Sequence, residues 1–294
     1  MKVTMFQGSI PALVTPFKNG EVDRDCFTSL LERQIKGGSS AVVPCGTTGE
    51  SATLSLEEHE ETVELCVEVA RGRVPVIAGA GSNDTSAGIR LVRHAKKIGA
   101  DAALVVAPYY NRPNQEGLYR HFSAIADAVQ LPLFLYNVPS RTSCDIAPET
   151  VGRLAAHPNV IGIKDATGDL GRVALHRELC GPDFILLSGD DVTALGFNAH
   201  GGNGCISVTA NVAPASFAEL QAASLRGDYS AARALNDKLA PLHKALFTDP
   251  SPGPTKYALS RLGLCSEEIR SPLFPAADYS RKAVDRALAI AGLI

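Results

Sequence analysis

Apolar residues along this chain gather in short β-branched runs, each closed by Gly, Pro, Asn or Thr and followed by a stretch with a helical repeat. The runs begin at Ser9 (SIPALVTP), Ser40 (SAVVPCG), Val74 (VPVIAGAG), Ala102 (AALVVAPYY), Pro132 (PLFLYNVP), Val160 (VIGIKDA), Phe184 (FILLSGDD) and Asn203 (NGCISVTAN). Near-continuous apolar strands of this kind belong to parallel sheets covered by helices on their faces. Between them, SLEE at Ser55 to Glu58 has the form of a capping box, and Val63, Cys66, Val67 and Ala70 then share one helical face. Leu118, Phe122, Ile125 and Val129 repeat that spacing.

Eight strand-helix units, with strands roughly 20 to 34 residues apart, predict an α/β fold of the (β/α)8 TIM barrel type. A doubly wound open sheet is the alternative. After Asn211 the strand signals stop, and the remainder reads as helices broken by DPSPGPTK. The expected organisation is a barrel over 1–228 carrying the active site and a C-terminal helical appendage over 229–294 packed on it.

Composition narrows the function. With 28 basic and 31 acidic residues the formal charge is −3, and no basic stripe with interleaved aromatics suggests nucleic acid. No run approaches the roughly 18 apolar residues of a membrane span, and MKVTMFQGSIPALVTPF shows no signal-peptide pattern, so a cytoplasmic protein with a small-molecule partner is expected. The cysteines, Cys26, Cys45, Cys66, Cys144, Cys180, Cys205 and Cys265, are odd in number and form no C-x-x-C pair. They read as reduced thiols, mostly in the core. The histidines have no H-E-x-x-H or H-x-x-x-H spacing, so no metal is expected.

In a barrel, active sites collect at the C-terminal ends of the strands. Thr47 and Thr48 close the second run, Tyr109 and Tyr110 the fourth, Tyr136 to Arg141 the fifth, and Gly189 and Asp190 the seventh. The sixth run contains a lysine. By strand alternation Ile161 and Ile163 share one face and Gly162 and Lys164 the other; with the isoleucines against the helices, Lys164 enters the barrel. A lysine so placed is expected to favour its free amine, the form that attacks a ketone to make a Schiff base. The alternative is a structural lysine paired with a carboxylate such as Asp165.

CGTTGES, Cys45 to Ser51, is a glycine-rich turn able to hold a small anion, or simply a strand-to-helix connection. It lacks the G-K-[ST] ending of a nucleotide phosphate loop. Tyr136 can relay protons and Arg141 can clamp a carboxylate, or stand solvated on a loop; Tyr109 and Tyr110 must diverge, so one can serve a site while the other packs elsewhere.

Taken in order, GTTGES, PYYNRP, YNVPSRT, IGIKDATGD, LSGDD and ISVTANV resemble the dihydrodipicolinate synthase family of pyruvate-dependent class I aldolases, over nearly the full chain. The resemblance implies that Lys164 forms a Schiff base with pyruvate, giving an enamine that attacks L-aspartate 4-semialdehyde, with no cofactor. It implies that Tyr136 relays protons, that Thr47 links it to Tyr110 donated by an adjacent subunit, that Thr48 binds the pyruvate carboxylate beside Gly189 and Ile206, and that Arg141 holds the second substrate. It further implies a homo-oligomer, a tetramer built as a dimer of dimers. Ser51, His59, Asn83 and Tyr109 match an inter-subunit pocket that binds lysine in inhibited members; Ala87 stands where those members carry glutamate, so weak feedback is expected. SPGPTK, Ser251 to Lys256, departs from the NPxPxK common in bacterial members and leaves the packing there open. Relatives acting on N-acetylneuraminate, 2-keto-3-deoxy sugar acids or 4-hydroxy-2-oxoglutarate remain alternatives, as does a catalytically silent barrel that binds an effector.

Overall fold

The computed structural model describes residues 5–294; Met1 to Thr4, the start of the stretch read for a leader, lie outside the described residues. The first strand, β1 (Gly8–Pro11), is followed by a hairpin of β2 (Phe17–Lys18) and β3 (Glu21–Val22) and by α1 (Arg24–Lys36) and α2 (Leu56–Ala70). Strands and helices then alternate: β4 (Ile77–Gly79), α3 (Thr85–Lys97), β5 (Ala102–Val106), α4 (Gln115–Ala128), β6 (Leu133–Asn137), α5 (Pro139–Thr142) and α6 (Pro148–Ala155). The series continues with β7 (Val160–Asp165), α7 (Gly171–Cys180), β8 (Ile185–Ser188), α8 (Ala194–Ala199), β9 (Gly204–Ser207) and α9 (Thr209–Val212). Four longer helices end the chain: α10 (Pro214–Leu225), α11 (Tyr229–Ala245), α12 (Gly253–Arg261) and α13 (Asp278–Ala291).

The main sheet runs in the order β1-β9-β8-β7-β6-β5-β4 with every pair parallel. The Ser40 run forms no regular strand. It makes parallel bridges from Val43 to Ala12 and from Val42 to Val76, with Leu13 N–H donating to Val43 (2.9 Å) and Ile77 N–H donating to Val42 (2.9 Å). Pro44 and the left-handed Cys45 (φ 52°) cut it short. The hairpin was not expected, yet its turn is Asn19-Gly20, both at positive φ (54° and 85°), as a two-residue turn requires.

Local signals account for the helices. Asp23 caps α1 by accepting from Cys26 N–H, and Phe27, Leu30, Leu31 and Gln34 form its buried face. The Ser55–Glu58 capping box is formed in both directions at the start of α2. On α4, Leu118, Phe122 and Ile125 are fully buried, each stabilising the fold by about 1.5–3 kcal/mol.

Two apolar layers flank the sheet. One, against the helices, contains Val105, Leu135, Val160 and Ile163; the other, inside, contains Ile10, Ile77, Leu104, Phe134, Tyr136, Ile161, Leu187 and Ile206. Ile161 and Ile163 therefore do not share a face. The β6–β7 register slips between Leu133 and Phe134, so that Val160 and Gly162, not neighbours in sequence, face consecutive residues of β6. This extra residue turns Ile161 inward while Ile163 stays outward and Lys164 inward. The C-terminal helices share a core with the end of the sheet: Leu239, Leu242, Val284 and Leu288 pack with Cys205, Phe217 and Leu220.

Candidate active site

All six residues of β7 are buried. Lys164 is only 6% exposed and pairs in register with Tyr136 on β6, its Nζ 4.2 Å from the centroid of the tyrosine ring. On its other flank is Gly189, whose N–H donates to the Asp165 carbonyl (2.7 Å). A Cβ at Gly189 would stand 2.9 Å from Lys164 Cε and 2.7 Å from Ala166 Cβ, so glycine leaves the room the lysine side chain occupies. Ile206 lies in the same interior layer as Tyr136 and Leu187.

Asp165 is not the partner of Lys164. It points the opposite way, accepting from Arg172 Nε (3.0 Å), Thr167 Oγ1 (2.6 Å) and His176 Nε2 (3.3 Å). Burial would raise its pKa, but these donors and the Arg172 charge hold it below the ordinary carboxylate range. Among the described residues no carboxylate forms an ion pair with Lys164.

Tyr136 also lines a cavity of about 400 Å³, together with Thr47, Arg141, Ser51, His59 and Tyr109. Lys164, Thr48, Gly189 and Ile206 lie outside its wall, so Tyr136 is the residue common to the cavity and the lysine. Arg141 is exposed on the one-turn helix α5 that Pro139 starts. The glycine-rich turn folds on itself: Gly49 and Ser51 N–H donate to Gly46 and Glu50 N–H to Thr47. Those three amides are committed within the turn, and Thr48 beside them is 4% exposed.

The two tyrosines diverge as expected. Tyr109 is 39% exposed and lines the cavity, whereas Tyr110 is 91% exposed, at φ 71°, and does not reach the cavity of its own chain. Asn83 is half-buried outside the cavity wall and accepts from Asn111 Nδ2 (2.8 Å) through its carbonyl. His59 bonds the Gly79 carbonyl through Nε2 (2.8 Å), and burial lowers its pKa, so it is neutral at pH 7.

A third wall comes from the C-terminal region, through Ser251, Pro272 and Leu273. Lys256, fully buried, reaches Glu50 of the glycine-rich turn at 2.5 Å and donates to the Glu268 carbonyl at 2.7 Å. Burial lowers the Lys256 pKa, and Glu50 works against that shift. Arg270 N–H donates to Glu50 Oε2 (3.0 Å), and its guanidinium pairs with Glu58 of the capping box. The packing around SPGPTK that the sequence left open is thus a buried ion pair. Its signal was present, a lysine among apolar neighbours, but its partner lay far away in the chain.

The profile of the dihydrodipicolinate synthetase family matches residues 5–291. The chain belongs to this family. It is 62% identical over 290 residues to 4-hydroxy-tetrahydrodipicolinate synthase of Phenylobacterium zucineum, covering 99% of each chain. Among solved structures it resembles a chloride-inhibited dihydrodipicolinate synthase from Acinetobacter baumannii complexed with pyruvate (48% identity, TM-score 0.96, covering 98% of this chain and 99% of that one). A monomeric dihydrodipicolinate synthase variant is similar at 41% identity with a TM-score of 0.96, covering 99% of each. Family members are lyases; in this chain GTTGES, PYYNRP and YNVPSRT each contribute residues to the cavity wall, and IGIKDATGD contains the lysine.

Proposed function

We propose that the chain condenses pyruvate with L-aspartate 4-semialdehyde to 4-hydroxy-tetrahydrodipicolinate, the committed step towards diaminopimelate and lysine. The observation that carries this is Lys164: buried, free of an ion pair, and set between the Tyr136 ring and the space that Gly189 leaves open. Its amine attacks C2 of pyruvate and water leaves, giving an imine. The protonated imine is the electron sink that lets the methyl group lose a proton, and the resulting enamine carbon adds to the aldehyde. Attack by the substrate's own amine on C2 then closes the ring and frees Lys164.

In this reading Tyr136 and Thr47 move protons, joined by Tyr110 of a neighbouring subunit. Thr48 holds the pyruvate carboxylate near Gly189 and Ile206, and Arg141, on the cavity wall, holds the carboxylate of the semialdehyde. The exposed Arg141 favours this substrate over a polyhydroxylated sugar acid, which offers hydroxyls at the corresponding end. Borohydride reduction with pyruvate, followed by peptide mapping, tests the first step: an adduct is expected on Lys164, and its absence refutes the mechanism. Ring formation from pyruvate and the semialdehyde, compared with cleavage of N-acetylneuraminate, tests the substrate.

Finer features follow from the same reading. The sheet is read as a closed (β/α)8 barrel, the segment around Val42 and Val43 standing as the stave between β1 and β4; the bridges to Ala12 and Val76 support this. A division at 228/229 into barrel and appendage is supported by the break at Gly227 (φ 82°) and the Asp228 cap of α11. The enzyme is inferred to work in the cytoplasm as a tetramer, a dimer of dimers. Ser51, His59, Asn83 and Tyr109 are read as an inter-subunit pocket lacking an acidic partner at Ala87, so lysine should inhibit weakly; half-maximal inhibition at sub-millimolar lysine would refute that.

A further inference from the structure

Cys45, Cys66 and Cys205 are buried in the core, and burial pushes their thiols far up. Cys26 and Cys265 differ. Both are partly exposed, and both pack on Val14, Leu30 and Leu259 although one is on α1 and the other follows α12. Cys26 Sγ donates to the carbonyl of Leu264, the residue before Cys265, at 3.3 Å. The Cys265 side chain therefore lies beside that of Cys26, on the same small apolar cluster.

We propose that Cys26 and Cys265 are a redox-active dithiol that closes to a disulfide, tying the first helix of the sheet domain to the C-terminal segment that walls the cavity.

The pair is asymmetric in the way such chemistry needs. The neighbouring Cys265 thiol favours the Cys26 thiolate and lowers its pKa, assisted by Lys256 and opposed by burial and by Asp23, while the Cys265 thiol is pushed up. Cys26 is then the attacking thiol and Cys265 the resolving one. With a low-molecular-weight disulfide as oxidant, Cys26 thiolate attacks one sulfur and displaces a small thiolate, leaving a mixed disulfide. Cys265 passes its proton to that thiolate, attacks the Cys26 sulfur and displaces the second small thiolate, which takes up the proton Cys26 released to solvent on ionising. Two protein thiols and one small disulfide become one protein disulfide and two small thiols. The bond would sit between Lys256, which reaches Glu50, and Glu268 and Arg270, which hold Lys256 and the glycine-rich turn.

The test is incubation of the intact protein with oxidised glutathione, alkylation of remaining thiols and peptide mapping, on the wild type and on Cys26→Ser and Cys265→Ser variants first checked for native circular dichroism and turnover. The wild type is expected to give one cross-linked peptide pair joining Cys26 to Cys265, reversed by dithiothreitol. Cys265→Ser is expected to keep glutathione on Cys26, and Cys26→Ser to give no cross-link. A wild type that retains glutathione on Cys26 without the cross-link, or in which both thiols stay alkylatable, overturns the proposal. It is independent of the catalytic reading, since it concerns neither Lys164 nor its substrate.

Discussion

Replacing Lys164 with alanine removes the amine set against Tyr136, so covalent trapping of pyruvate should vanish and turnover should fall by about 10³-fold or more. Borohydride labelling with mass mapping checks this, and trapping equal to wild type would reassign the nucleophile. Gly189→Ala probes the same space from the other side. Its methyl would meet Lys164 Cε at 2.9 Å and Ala166 at 2.7 Å, an overpacking that costs about 1–3 kcal/mol, and trapping should slow although the lysine is still present. Unaltered trapping kinetics would show that the lysine side chain does not need that room. At this scale the sequence was largely readable. Lys164 is found inward because strand alternation near the end of β7 is regular. Ile161 is misplaced because one extra residue opposite Leu133 and Phe134 is invisible without the pairing strand. Glu50 stood inside a quoted motif, but nothing local marks it as an ion-pair partner.

The elements around the site are held by contacts between remote segments, which explains what the sequence did not disclose. Alternation and helical spacing report on a residue's own strand or helix, whereas the 2.5 Å contact of Lys256 with Glu50 joins α12 to the turn before α2. Lys256→Ala leaves Glu50 buried at 4% exposure without its cation, which should cost about 3–5 kcal/mol, while a paired Glu50→Gln, Lys256→Met change should cost much less. Urea unfolding of the single and double variants separates these cases; equal losses would mean the pair is incidental. A second expectation concerns acid. Burial holds His121 at about 4, against an ordinary 6.5, with its Nδ1 bonded to Thr85. The unfolded chain therefore takes up this proton first, so the stability contributed by neutral His121 is full above 6.5 and lost as pH falls from 6.5 to about 4. His59 and His243 are shifted the same way by burial. His121→Gln should flatten the stability curve in that window and leave its slope unchanged below it; identical slopes for both proteins would exclude His121 as a source.

For the whole molecule, the overall order of strands and helices was legible because each unit carries its own apolar period, and the C-terminal helices because the strand signal stops. Assembly was not, since a surface shows nothing in sequence of what covers it. Tyr110 is the clearest case: 91% exposed and at φ 71°, it is turned away from the cavity of its own chain. Sedimentation is expected to show association, and Tyr110→Phe to lower turnover while pyruvate is still trapped on Lys164. Full turnover by this variant would remove the tyrosine from the reaction.

That outward tyrosine has a genetic consequence. Two chains, one inactive for want of the amine of residue 164 and the other impaired for want of the phenol of residue 110, should gain activity when co-expressed. On the reading that Tyr110 serves a neighbouring chain, such a heteromer would rebuild one complete centre from the intact lysine of one chain and the intact hydroxyl of the other.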